Sequence, residues 1–112
     1  MMIKLSIAIK KFHDNGFIHC DIKPENIFML DQFTPILADL GESITFKEHK
    51  ENKAGTNEYL APEIREASSN FPYTYKVDIF ALGIVFVDLI AGKISKFNFI
   101  PSQENFKINN IE

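Results

Sequence analysis

At 112 residues the chain has room for one small domain or a piece of a larger one. A net charge of −3 excludes a nucleic-acid role built on a basic footprint, and eleven phenylalanines against five glycines exclude disorder throughout. A single cysteine excludes an internal disulfide and fits a reducing compartment.

The stretch from Met1 to Lys11 is apolar but broken by Lys4 and Lys10, too short a run for a signal peptide. Leu5, Ala8, Ile9 and Phe12 fall at i, i+3, i+4 and i+7, which predicts an amphipathic helix. Asn15-Gly16 is a stop for it, since glycine tolerates the left-handed conformation past a helix end. Phe17-Ile18 then reads as a short extended segment leading into the next loop.

Ile27 to Leu30 and Ile36 to Ala38 are apolar runs either side of Asp31-Gln32-Phe33-Thr34-Pro35, a pattern that predicts a hairpin with a five-residue connection. Such a hairpin would hold Asn26 at one end and Asp39 at the other. Residues 42–53 are polar and weakly periodic, so a mobile loop is expected there. A short helix should follow Pro62 through Arg65 and Ala67, with a turn at Ser68 to Tyr73. Tyr75 to Ala91 predicts a second helix, apolar on nearly all faces and therefore a buried spine, ended by Gly92. Its apolar stretch, Val77 to Ala91, contains Asp78 and Asp88 and falls short of the roughly 20 residues that span a bilayer. Residues 93–112 carry scattered aromatics without a pattern. The expectation is a soluble intracellular protein, cytoplasmic, with neither membrane nor nucleic acid as partner.

His19-Cys20-Asp21-Ile22-Lys23-Pro24-Glu25-Asn26 sets an acid, a cation and an amide at fixed offsets on one loop. The set suits phosphoryl transfer: a carboxylate to take a hydroxyl proton, an ammonium to steady the moving phosphate, an amide oxygen to hold Mg²⁺. It resembles the catalytic loop of protein kinases, H-R-D-L-x-x-x-N, with Cys20 for the arginine and Ile22 for the leucine. The Lys-Pro-Glu-Asn ending is the form of the serine/threonine branch. Three further motifs follow in the order of the family's larger lobe. Asp39-Leu40-Gly41 is similar to D-F-G. Gly55-Thr56 with Tyr59-Leu60-Ala61-Pro62-Glu63 resembles the end of an activation segment, 24 residues after Asp39. Asp78 to Gly83 resembles D-x-W-x-x-G at the start of the central helix.

The resemblance implies an α+β fold, mainly helical: a partial C-terminal lobe over residues 1–112, with a short β-hairpin carrying the catalytic and metal-binding loops. Its parts would be a catalytic loop at 19–26, a metal-binding motif at 39–41, an activation segment at 39–63 and a central helix at about 75–91. The N-terminal lobe and the last helices of the C-terminal lobe would be absent. The implied activity is that of a serine/threonine protein kinase, moving the γ-phosphate of ATP to a protein hydroxyl with Mg²⁺. Asp21 would be the base and Lys23 the catalytic cation; Lys23, Glu25, Asn26, Phe28 and Asp39 would line the nucleotide, and Asn26 and Asp39 would bind the metal. Thr56 and Pro62 would face the protein substrate, and Thr56 would bond to Asp21 and Lys23. His19 and Leu40 would belong to a packed column, and Asp78 would anchor the loop backbone.

Each residue also has a plainer reading: Asp21 as a turn or cap, Lys23 as a solvated charge, Phe28 as strand packing, Asp78 as a favourable charge at a helix start. Cys20 cannot make the charge-assisted pair that an arginine makes with a loop phosphate. No G-x-G-x-x-G loop or V-A-I-K strand precedes Leu5, so the segment is expected to be inactive by itself, its missing lobe or another kinase being a partner. The alternatives are a non-catalytic kinase-like binding module, an incomplete gene model of a full kinase, and a small-molecule kinase.

Overall fold

In the computed structural model, which describes residues 2–94 and 97–100, the N-terminal stripe forms helix α1, Met2–Asp14. Leu5 and Ile9 lie one turn apart on its inner face and are buried, with Ala8 and Phe12 half-buried beside them. The Asn15 side chain closes the Lys11 carbonyl, and Gly16 turns the chain at φ +88°. Strand β1, Phe17–Ile18, follows and pairs antiparallel with β4, Ile44–Thr45.

Strands β2, Ile27–Asp31, and β3, Thr34–Leu37, form the hairpin, but its connection is two residues, Gln32 and Phe33, rather than five. Asp31 Oδ1 accepts the Phe33 amide at 2.8 Å and closes the turn itself. Pro35, which suggested loop, sits within β3 because β3 is a sheet edge and no neighbour needs its missing N–H. The pleat sends Ile27 and Met29 into the core and leaves Phe28 and Leu30 on the other face. A short β5, Asn98–Phe99, adds to β2 in parallel, and Phe97 beside it is buried.

The segment expected to be mobile is tied down. Ile44 is buried in β4, Lys50 pairs with Glu42 at 2.9 Å, and Lys50 bridges Phe71 through its backbone. The polar composition hid one apolar anchor and one ion pair. Helix α2 covers only Pro62–Arg65.

Helix α3, Tyr75–Ile90, starts where Thr74 Oγ1 accepts the Lys76 amide and ends before Gly92 at φ +78°. It serves two apolar clusters. Ala81, Leu82 and Val85 pack with Leu5, Ile9, Ile22 and Ile27, while Val77 packs with Ile18, Ile44, Leu60 and Ile64. Burying each large side chain stabilises the fold by about 1.5–3 kcal/mol. The expectation of burial on nearly all faces is corrected: Ile79, Val87 and Ile90 are exposed. An open groove of about 620 Å³ runs between α1 and α3, lined by Ile9, His13, Tyr75, Ile79 and Leu82 among others. No described helix is long and apolar enough to cross a membrane.

Candidate active site

The loop between β1 and β2 takes its shape from a buried carboxylate on α3. Asp78 Oδ2 accepts the His19 amide at 2.8 Å and Oδ1 the Cys20 amide at 3.0 Å. Such charge-assisted bonds hold Cys20 at φ 74°, a conformation that a residue with a Cβ seldom adopts. His13 adds a third contact, Nε2 lying 2.8 Å from Asp78 Oδ2.

His19 is wholly buried and ties the loop to the hairpin. Its Nδ1 accepts the Asp21 amide, which assigns the ring proton to Nε2, 2.9 Å from the Ala38 carbonyl oxygen. The Cys20 thiol faces the apolar cluster. Burial, then the charge of Asp78, pushes it up to about 12, so it is no nucleophile.

Beyond this anchor lie the groups singled out in the sequence. Asn26 ends a tight turn over Pro24–Asn26, which brings its Nδ2 to 2.8 Å from the Asp21 carbonyl and 3.1 Å from Asp21 Oδ2. Lys23 Nζ donates to Thr56 Oγ1 at 3.0 Å and lies 3.9 Å from Asp21 Oδ2. Among the described residues Asp21 Oδ1 is buried without a hydrogen-bond partner. Burial raises the Asp21 carboxyl above the usual carboxylate range; Lys23 and the Asn26 amide act against that rise, and the charge of Asp39 adds to it.

Asp39 follows the other strand, two residues past the end of β3. Asn26 O accepts the Ala38 amide at 2.8 Å, extending the β2–β3 ladder, so Asn26 and Asp39 share the open end of the hairpin. Asp39 is exposed, at φ 54°, and its Oδ1 is 3.4 Å from the Gly41 amide. Glu25 is exposed on the turn, and Phe28 is half-buried opposite Ile36. Leu40, assigned to a packed column, is 54% exposed. Pro62 is exposed at the start of α2. No hydrogen bond joins Asp21 to Thr56 directly; Lys23 stands between them.

Three contributors had no signal in the sequence. His13 meets Asp78 from α1, Tyr59 donates to Asp88 at 3.1 Å, and Tyr73 holds the backbone of Ala54. Each partner lies far along the chain, so neither spacing nor periodicity could pair them.

A loop held by a buried aspartate, with an acid, a cation and an amide converging beside a second aspartate, suits phosphoryl transfer. The family model of the protein kinase domain matches residues 1–111. The chain belongs to the protein kinase family. Among relatives of this kinase chain, a Dictyostelium discoideum protein named "Probable serine/threonine-protein kinase gdt4" is 37% identical over 109 residues, covering 91% of the chain and 6% of the relative. An Arabidopsis thaliana protein kinase and PP2C-like domain-containing protein is 32% identical, covering 82% and 16%. Human rhodopsin kinase GRK7 is 35% identical, covering 80% and 16%. The kinase chain thus spans 6–16% of the length of these relatives.

Proposed function

We propose that this chain carries the catalytic segment of a serine/threonine protein kinase, from the catalytic loop at 19–26 to the central helix α3, in an α+β C-terminal lobe. The observation that carries the reading is the Asp21 carboxylate, oriented by the Asn26 amide, 3.9 Å from Lys23 Nζ and within reach of the charge of Asp39. Asp21 accepts the proton of a protein serine or threonine hydroxyl as that oxygen bonds to the γ-phosphorus of ATP. The bond from phosphorus to the bridging oxygen breaks, and ADP leaves with the electron pair. Lys23 offsets charge on the transferring group, and its bond to Thr56 sets the ammonium in place.

The donor set at the hairpin's open end fits Mg²⁺, which takes one or two protein carboxylates or amides and completes its shell with water and phosphate oxygens. Asn26 spends its amide hydrogens on Asp21, so its Oδ1 is the atom left for a cation, and exposed Asp39 supplies the carboxylate. Bound there, the ion would neutralise charge on the phosphates. Phe28, on the outer face of β2, is the apolar surface for the adenine ring, and Glu25, exposed on the turn before β2, contributes to the nucleotide site.

One observation favours a second reading, a kinase-like binding module without catalysis. The cleft that Asp21 shares with Thr56 and Tyr59 has room for about 10 Å³, space for one water and not for the side chain that would carry a substrate hydroxyl. A thermal shift of the chain with Mg·ATP separates the two. A rise in melting temperature that disappears in Asp39→Asn supports the kinase reading. No rise in the wild-type chain supports the module. Phosphotransfer itself is measured on the longest polypeptide that contains this segment, with Asp21→Asn as the inactive reference.

A further inference from the structure

Tyr73 closes both backbone groups of one residue on the facing segment. Its hydroxyl accepts the Ala54 amide at 2.8 Å and donates to the Ala54 carbonyl at 2.9 Å. Ala54 is buried, so each of these groups would otherwise go unpaired at a cost.

The next residue leaves no slack. Gly55 stands at φ +99°, and a Cβ on it would lie 3.1 Å from Leu60 Cδ1 and 3.2 Å from the Cys20 carbonyl oxygen. The residue after that is Thr56, whose hydroxyl meets Lys23 Nζ. Tyr73 itself packs against the cluster of Ile18, Ile44 and Val77, immediately before the Thr74 cap of α3. The same helix start therefore holds both sides of the site: Asp78 fixes the loop at His19 and Cys20, and Tyr73 fixes the segment at Ala54. A tyrosine hydroxyl carries its proton at neutral pH, and burial pushes the Tyr73 phenol further up, so its donor is always present.

We propose that Tyr73 is a positioning residue whose hydroxyl sets Gly55-Thr56 against the Cys20 carbonyl and so determines where Thr56 meets Lys23. Its consequence for catalysis rests on the kinase reading; the geometry it asserts does not.

The experiment is NMR on the chain with ¹³C,¹⁵N-labelled lysine and uniform ¹⁵N labelling in parallel, comparing wild type, Tyr73→Phe, Thr56→Val and Val85→Ala. In Tyr73→Phe the Ala54 amide should exchange about tenfold faster, the loss expected for one buried hydrogen bond. The Lys23 Cε and Nζ resonances should move towards their positions in Thr56→Val. Val85→Ala opens a cavity in the other apolar cluster and supplies a loss of stability without touching this contact. It should leave the Lys23 resonances in place. Unmoved Lys23 resonances in Tyr73→Phe overturn the proposal, as does an equal movement in Val85→Ala. Should Tyr73→Phe fail to fold, the wild type decides. A slowly exchanging Tyr73 hydroxyl proton with a cross-peak to the Ala54 amide supports the proposal, and its absence overturns it. A chain that shows the Lys23 response yet no shift with Mg·ATP loses the kinase reading and keeps the positioning role.

Discussion

Asp78 on α3 accepts the backbone amide of Cys20 at 3.0 Å, across 58 positions of sequence. That single contact, with its twin at His19, holds a loop whose backbone would otherwise leave φ 74°. Asp78→Asn keeps the shape but removes the charge and one of the acceptors. It should cost about 1–3 kcal/mol in urea unfolding, because a buried amide is left unpaired. A loss indistinguishable from zero would mean that the loop holds itself.

Asp21 should trade stability for its proposed role. Its carboxyl is raised mainly by burial, so the folded chain binds that proton more tightly than the unfolded chain does. Ionised Asp21 therefore costs stability at neutral pH, and the cost fades as pH falls to the unfolded carboxylate value of about 3.9. Asp21→Asn should stabilise the chain at pH 7, because it removes the charge that burial disfavours, and lose that advantage in acid. Thermal melts of both proteins across that range test the sign. A variant that is less stable at pH 7 contradicts it. On the proposed reading, phosphotransfer by whichever polypeptide is assayed should fall as pH drops through the raised value, because the base takes up its proton.

Gly55 has no tolerance for a side chain. Gly55→Ala should lose about 1–3 kcal/mol, since the new methyl meets the Cys20 carbonyl oxygen while the backbone is forced to φ +99°. Chemical denaturation measures this. A neutral result would show that the segment shifts freely away from the loop.

Cys20 should be inert. Buried and pushed up to about 12, its thiol should react with iodoacetamide about a hundredfold more slowly in the native chain than in urea. A thiol carries no positive charge in either ionisation state, so Cys20 offers no counter-charge to a phosphate on Ser43 or Thr45. Cys20→Ala should leave any response to loop phosphorylation unchanged, as read by kinase assay of the phosphorylated and unphosphorylated forms. Activation that requires Cys20 would refute this.

The local elements were legible where a pattern repeats within one segment. The Leu5–Ile9 stripe produced α1, and the apolar run after Thr74 produced α3, because helix periodicity depends only on near neighbours. The hairpin was legible but its turn was not. Asp31 replaces a backbone partner with its own carboxylate, and Pro35 is tolerated only because β3 turned out to be an edge. Residues 42–53 misled for a related reason: one buried Ile44 and one Lys50–Glu42 pair outweigh a polar composition. The acid, cation and amide of the loop were visible as a motif, yet the motif did not say that Asn26 spends its amide hydrogens on Asp21.

By itself the sequence determined helices α1 and α3, the β2–β3 hairpin without its turn, and the chemical kinds of group on the His19–Asn26 loop, all matters of residue type and short-range spacing. The family resemblance implied that Asp78 would anchor the loop backbone and that Thr56 would bond to Lys23, and the fold supplies those distances. Only the tertiary structure decided that Tyr73 meets Ala54 and His13 meets Asp78. Those contacts join groups 19–65 positions apart, and the burial that makes them strong exists only once α3 has packed beneath the loop.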